Sequence, residues 1–180
     1  MNGLRHLIAY AAAMLLAGAA HAQLPQGASE PALKAAMLFN FAIFTEWPQD
    51  TLAPSMPLRV CAFQGNGLQA ALTDMQDKVI NGHRMSLRVL STGTPASQLA
   101  GCHVLALDGR DRDRWTSLRD ELTGTSVLTI ADDRVIGAEG AMISLNIDNH
   151  RIGFDVDLGP VRRARLALSS KLLRLARSVQ

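Results

Sequence analysis

Residues 34–48 read KAAMLFNFAIFTEWP, and their apolar side chains recur at helical spacing but on more than one face. Leu38, Phe39, Phe41, Ile43 and Phe44 cannot all point into a single core. Pro31, just after Ser29 and Glu30, fits a first helical turn. Pro48 holds Trp47 extended and stops the helix, which is expected to run to about residue 45. One side should pack on a sheet. The other is expected to pack on a second copy or a partner, or to be covered by the C-terminal helices, because several exposed Phe and Leu side chains favour aggregation.

Beyond this helix the period changes. LRVCAF (58–63), MSLRVL (85–90), HVLALD (103–108) and SVLTIA (126–131) read as strands. Between them, QGNG turns the chain into a helix near residues 68–76, NGH is a turn, and DRDRWTSLRDEL is an amphipathic helix with Trp115, Leu118 and Leu122 on one side. AMISLNID and HRIGFDVD then alternate strictly and are joined around Asn149, as in a hairpin. Ile143, Leu145 and Ile147 form one apolar row, and Ile152, Phe154 and Val156 the other. LGPVRRARLAL and SSKLLRLARS close the chain as short helices, with Ser169 or Ser170 as N-cap. The order predicts an α/β fold: a mixed sheet of about six strands ending in an antiparallel hairpin and flanked by helices.

The first residues change this picture. Arg5, the apolar run 7–20 and the small-x-small triplet Ala20-His21-Ala22 have the form of an export signal, with a mature start at Gln23. A single exported, soluble domain over residues 23–180 is expected. From Asp157 onward there are six basic residues and one acid, whereas the rest of the mature chain is net acidic. This asymmetry suggests an acidic partner surface or a solvated basic face. Nucleic acid is not an expected partner, since no basic–aromatic pattern accompanies the charge. The two cysteines, Cys61 and Cys102, sit at or beside predicted strands. An oxidising compartment favours pairing them, and two buried free thiols are the alternative.

Candidate chemistry is sparse. GNGLQA (65–70) follows a strand and opens a helix, as a dinucleotide turn does, but the second strand ends at Leu90-Ser91 without the acid that would hold a ribose. A tight strand-to-helix turn is the expected reading. DGRDRD (108–113) clusters carboxylates, yet Arg110, Arg112 and Arg114 interleave them and the spacing is not that of a calcium loop. These acids are expected at a helix N-terminus. His83, His103 and His150 show no metal-ligand spacing, and no nucleophile motif occurs. No cofactor, metal or catalytic residue is assigned, and the chain is not expected to be an enzyme. A hydrolase with scattered residues is the remote alternative.

The order KAAMLFNFAIFTEWP, LRVCAF, GCHVLALD, SVLTIAD, EGAMISLNI, RIGFDVDL and LSSKLLRLA resembles the YfiR/HmsC-like family of periplasmic proteins across essentially the whole mature chain. The resemblance implies a regulator that binds and restrains an inner-membrane signalling enzyme, a diguanylate cyclase, and so lowers cyclic di-GMP signalling and biofilm formation. It implies dimerisation and tuning by an outer-membrane, peptidoglycan-binding lipoprotein. It also places Cys61 and Cys102 in the contexts of a family disulfide. The chain departs from the family at Glu46, Ala167 and Ser169, where basic residues are expected, and it lacks a second cysteine pair near the hairpin. Leu38, Phe41, Phe44 and Trp47 are the candidates for a partner or dimer interface. Asp155, Arg163 and Lys171 are candidates for ligand contact, should the protein instead sense peptidoglycan fragments or small metabolites.

Overall fold

The computed structural model describes residues 28–148 and 151–180. The export signal expected over residues 1–22, Asn149 of the hairpin turn and His150 lie outside the described residues.

The first helix, α1 (Glu30–Ile43), begins at Ser29, whose side chain accepts the Ala32 N–H, with Pro31 in its first turn. A two-residue strand β1 (Thr45–Glu46) follows, then β2 (Leu58–Phe63), α2 (Gln69–Thr73), β3 (Val79–Ile80) and β4 (His83–Leu90). Asn81 and Gly82 both adopt positive φ, 49° and 85°, so β3 and β4 form a two-residue hairpin of the kind that needs an Asn-Gly pair. The second half runs β5 (Val104–Asp108), α3 (Arg112–Leu122), β6 (Leu128–Asp132), α4 (Arg134–Ala138), β7 (Ile143–Asp148) and β8 (Arg151–Val156). The chain closes with α5 (Leu158–Arg163), β9 (Ala167–Leu168), α6 (Ser170–Leu173) and β10 (Ser178–Val179).

Eight strands form one mixed sheet in the order β10-β8-β7-β6-β5-β2-β4-β3. Strands β4, β2, β5, β6 and β7 are parallel, β8 pairs antiparallel with β7, and β3 closes the other edge antiparallel to β4. The expected α/β class, mixed sheet and terminal hairpin are present. The six long strands gain two short ones at the edges, and β1 pairs with β9 in a separate small sheet.

Strand alternation divides the interior into two cores. Leu58, Val60 and Ala62 of β2, with Val104, Ala106, Leu128 and Ile130, face α1 and the C-terminal segment. Cys61, Phe63, Leu105, Leu107 and Ala131 face α3 and α4, whose Trp115, Leu118, Leu122 and Ile136 cover them. Cys61 and Cys102 are joined by a disulfide within this second core, both fully buried.

The apolar faces of α1 are covered by its own chain. Leu38 and Phe41 are buried, 0% and 2% exposed, and the Phe41 ring packs on Phe154 with centroids 4.7 Å apart. Leu38 and Phe41, expected as candidates for a partner or dimer interface, are thus covered within the chain itself. Met37, Phe39, Ile43 and Phe44 are half-buried against the same core, beside Leu166, Leu168 and Leu172. Leu33 alone among the large apolar residues of α1 is mainly exposed, at 47%.

Candidate functional site

Three places could carry function, and the fold builds each differently. The first is the corner where α1 ends. Thr45 and Glu46 pair with Leu168 and Ala167, and the Ser169 N–H donates to the Phe44 carbonyl. The ends of two stretches that carry the family resemblance, KAAMLFNFAIFTEWP and LSSKLLRLA, therefore touch. Glu46 stands directly opposite Ala167, so two of the chain's departures from the expected basic residues face each other across one small sheet.

Trp47 continues this corner. Its Nε1 donates to the His103 carbonyl at 3.3 Å, and its ring meets the His103 imidazole edge-on. A cavity of about 270 Å³ lies beside it, lined by Glu46, Trp47, Leu52, Ile80, Asn81 and His83 among others. Asn81 Nδ2 donates to the Ile43 carbonyl at 2.8 Å, fixing the β3–β4 hairpin to the end of α1. His103 is the anchor beneath. Its Nδ1 accepts the Arg59 N–H at 2.9 Å, so Nε2 carries the proton and donates to the Thr51 carbonyl at 3.3 Å. Burial first, then the nearby Arg59 charge, keeps this imidazole below its ordinary pKa, with the Thr51 bond opposing.

The second place is the crevice at the carboxyl ends of β2 and β5, where the strand order reverses and α/β folds commonly bind ligands. Here the chain fills its own crevice. Asp108 Oδ2 accepts the Gly67 N–H at 2.8 Å, and Oδ1 accepts the Arg110 N–H at 2.8 Å. The Gly67 amide is thus taken by a carboxylate, and those of Gly65 and Leu68 by Gln69 Oε1 and Asn66 Oδ1, which supports reading GNGLQA as a structural turn. Asp111 caps the same turn through the Asp108 N–H, and burial pushes its carboxyl upward. Asp133 caps α4 through the Val135 and Ile136 N–H groups. Its carboxyl is held below the usual range, chiefly by the Arg112 guanidinium. The DGRDRD acids serve helix starts, and among the described residues no cluster of three His, Cys, Asp or Glu side chains is placed to hold a metal.

The third place is the polar face of the hairpin. Asp155 accepts from Asn146 Nδ2 at 2.6 Å and pairs with Arg177 at 3.5 Å. With Arg134, Ser144 and Asp157 these groups line a cavity of about 490 Å³. Its floor needs small residues, since a Cβ on Gly137 would lie 2.5 Å from Ser144 Oγ. Arg163 lines a different cavity, and Lys171 lines neither. The three ligand-contact candidates are therefore not brought together. Asn146 and Arg177 had not been singled out. Their signal was the polar alternation of ISLNID and the basic residue that reaches back over β8.

The profile of the YfiR/HmsC-like family matches residues 31–177, from the first turn of α1 to the start of β10. The chain belongs to the YfiR/HmsC-like family. Membership suggests a periplasmic regulator of diguanylate cyclase signalling that interacts with an inner-membrane signalling protein. No curated protein matches the chain. Within the matched span the corner of α1, β1 and β9 joins both ends of the family's sequence, which makes it the leading candidate for a binding surface. Phe44 and Trp47 are half-buried there and Glu46 is exposed.

Proposed function

We propose that this protein binds the periplasmic region of an inner-membrane diguanylate cyclase, restrains it, and so lowers cyclic di-GMP and biofilm formation. The observation that carries this reading is the family match over residues 31–177, together with the meeting of its two end motifs at the Glu46–Ala167 pair. A binding protein can restrain an enzyme only if it binds the inactive state more tightly than the active one. A rigid corner suits such discrimination. Trp47 is pinned through His103 and Phe44 through Ser169, so little conformational freedom is lost on docking.

The contacts proposed for the partner are Leu33, Phe44, Glu46 and Trp47, the apolar and acidic groups that α1 and β1 still present. The matching region of the partner would offer basic and apolar side chains, since Glu46 and Ala167 stand where basic residues are expected from the family. A homodimer and contact with a peptidoglycan-binding outer-membrane lipoprotein belong to the same proposal as competing occupants of this surface. Export by the N-terminal signal completes it.

The test joins recovery of a partner to a cellular readout. Tagged mature protein is used to capture membrane proteins, and cyclic di-GMP is measured in cells lacking the chain. Recovery of a cyclase with a periplasmic region, and a rise in cyclic di-GMP that the wild-type chain reverses, are expected. Unchanged cyclic di-GMP with no such enzyme recovered would overturn the proposal.

A further inference from the structure

At the amino-terminal end of the parallel strands, opposite the filled crevice, the two cores meet at a seam that does not close. Trp115 and Leu122 of α3 and Val127 ahead of β6 belong to the disulfide-side core. Met142 ahead of β7 belongs to the other. Between them lies a cavity of about 300 Å³ with an apolar wall, within the range of small-molecule sites.

Its polar groups are few and unequal. Arg119 is engaged by the Asp120 carboxylate and by the Glu139 carbonyl. Arg163 lines the same cavity and has no ion-pair partner among the described residues. Glu139 is the one carboxylate in the lining, so the lining carries a net positive charge. Trp115 is 1% exposed, and its Nε1 has no acceptor among the described residues.

From this geometry we infer that the seam is a binding site for a small monocarboxylate with an apolar body, the carboxylate held by Arg163 and the body against Trp115, Leu122, Val127 and Met142. The site is independent of the docking corner, because no residue of the cavity belongs to α1, β1 or β9. An uncharged analogue leaves Arg163 solvated and gains only the apolar wall. A dicarboxylate adds a second charge with no second free cation to meet it.

The chain has two tryptophans, so Trp47→Phe leaves Trp115 as the only indole reporter. Phenylacetate and 4-methylpentanoate are titrated while Trp115 emission is followed, with phenylacetamide as the uncharged control. A saturable change with the carboxylates is expected, and none with the amide over the same range. Arg163→Gln should weaken binding about tenfold or more, as loss of a charge-assisted hydrogen bond does. Arg162→Gln, which alters an exposed arginine outside the lining, should leave it unchanged. Calorimetry on the unsubstituted mature protein repeats the titration should Trp47→Phe fail to fold. Absence of saturable binding by either method, or equal binding by the two arginine variants or by the amide, overturns the site.

Discussion

Lys34 is a charged residue at a core position, 6% exposed on the sheet side of α1. Its ammonium lies 2.7 Å from both Glu30 and Asp132, tying the helix to the carboxyl end of β6. Burial works to lower its pKa, but the hydrogen bonds to Asp132 and Glu30 outweigh burial and hold it above its ordinary value. Removing Lys34 leaves the half-buried Asp132 carboxylate without its cation. Lys34→Met should therefore cost about 3–5 kcal/mol in chemical denaturation, and Lys34→Met with Asp132→Leu should recover most of that loss. Equal stability of the single and double variants would show that the pair is effectively solvated. His103 sets a second expectation. Its folded pKa lies below the unfolded value of about 6.5, so between the two the unfolded chain binds more protons. Its contribution is fully present above about pH 6.5 and is lost as pH falls toward the folded pKa. A protonated Nδ1 also cannot accept the Arg59 N–H. Thermal midpoints of the wild type should fall between about pH 6.5 and pH 5 more steeply than those of His103→Gln; parallel curves would remove His103 from the account.

Helix α1 separates fold from docking, because its residues divide sharply by burial. Phe41→Ala should cost about 3–5 kcal/mol, since Phe41 packs on Phe154 inside the first core. Leu33→Asp and Glu46→Lys should leave denaturation midpoints near wild type and reduce recovery of the membrane partner. Undiminished recovery with Glu46→Lys would move the docking surface away from this corner, and undiminished recovery with Leu33→Asp would remove the start of α1 from it. The limits of α1, β2, β5 and the hairpin could be read within a few residues, because each has a long apolar period and a clear stop such as Pro48 or the Gly65 turn. Other elements were hidden. Residues 134–138 form α4 although they contain Gly137 and look like a loop; Asp133, an N-cap two residues ahead of Val135, was the available signal. Strands β9 and β10 are two residues each, and their pairing with β1 and β8 is a tertiary choice that no local pattern records. The same holds for the candidate sites. That KAAMLFNFAIFTEWP and LSSKLLRLA carry the resemblance is visible in the sequence, but that their ends meet is not, and Trp115 reads only as one position of an amphipathic helix.

Across the whole molecule, the disulfide decides how the fold can respond to its compartment. Cys61 lies mid-sheet in β2 and Cys102 just ahead of β5, separated by 41 residues that include α2, β3 and β4. Closing a loop of this length in the unfolded chain corresponds to about 4 kcal/mol of stabilisation in the chain-entropy account. Cys61→Ala with Cys102→Ala is expected to lose a comparable amount in urea denaturation. Both sulfur-bearing residues are sealed in the second core beneath α3, at 0% and 1% exposure, so a thiolate cannot reach them while the core is closed. Reduction of the native protein by dithiothreitol should therefore proceed at the rate of opening and should stop depending on reductant concentration once the reductant is in excess. A rate that continues to rise with reductant would mean that the bond is attacked in the folded state and could serve as a switch. The first outcome assigns the disulfide to holding the β2–β5 centre of the sheet.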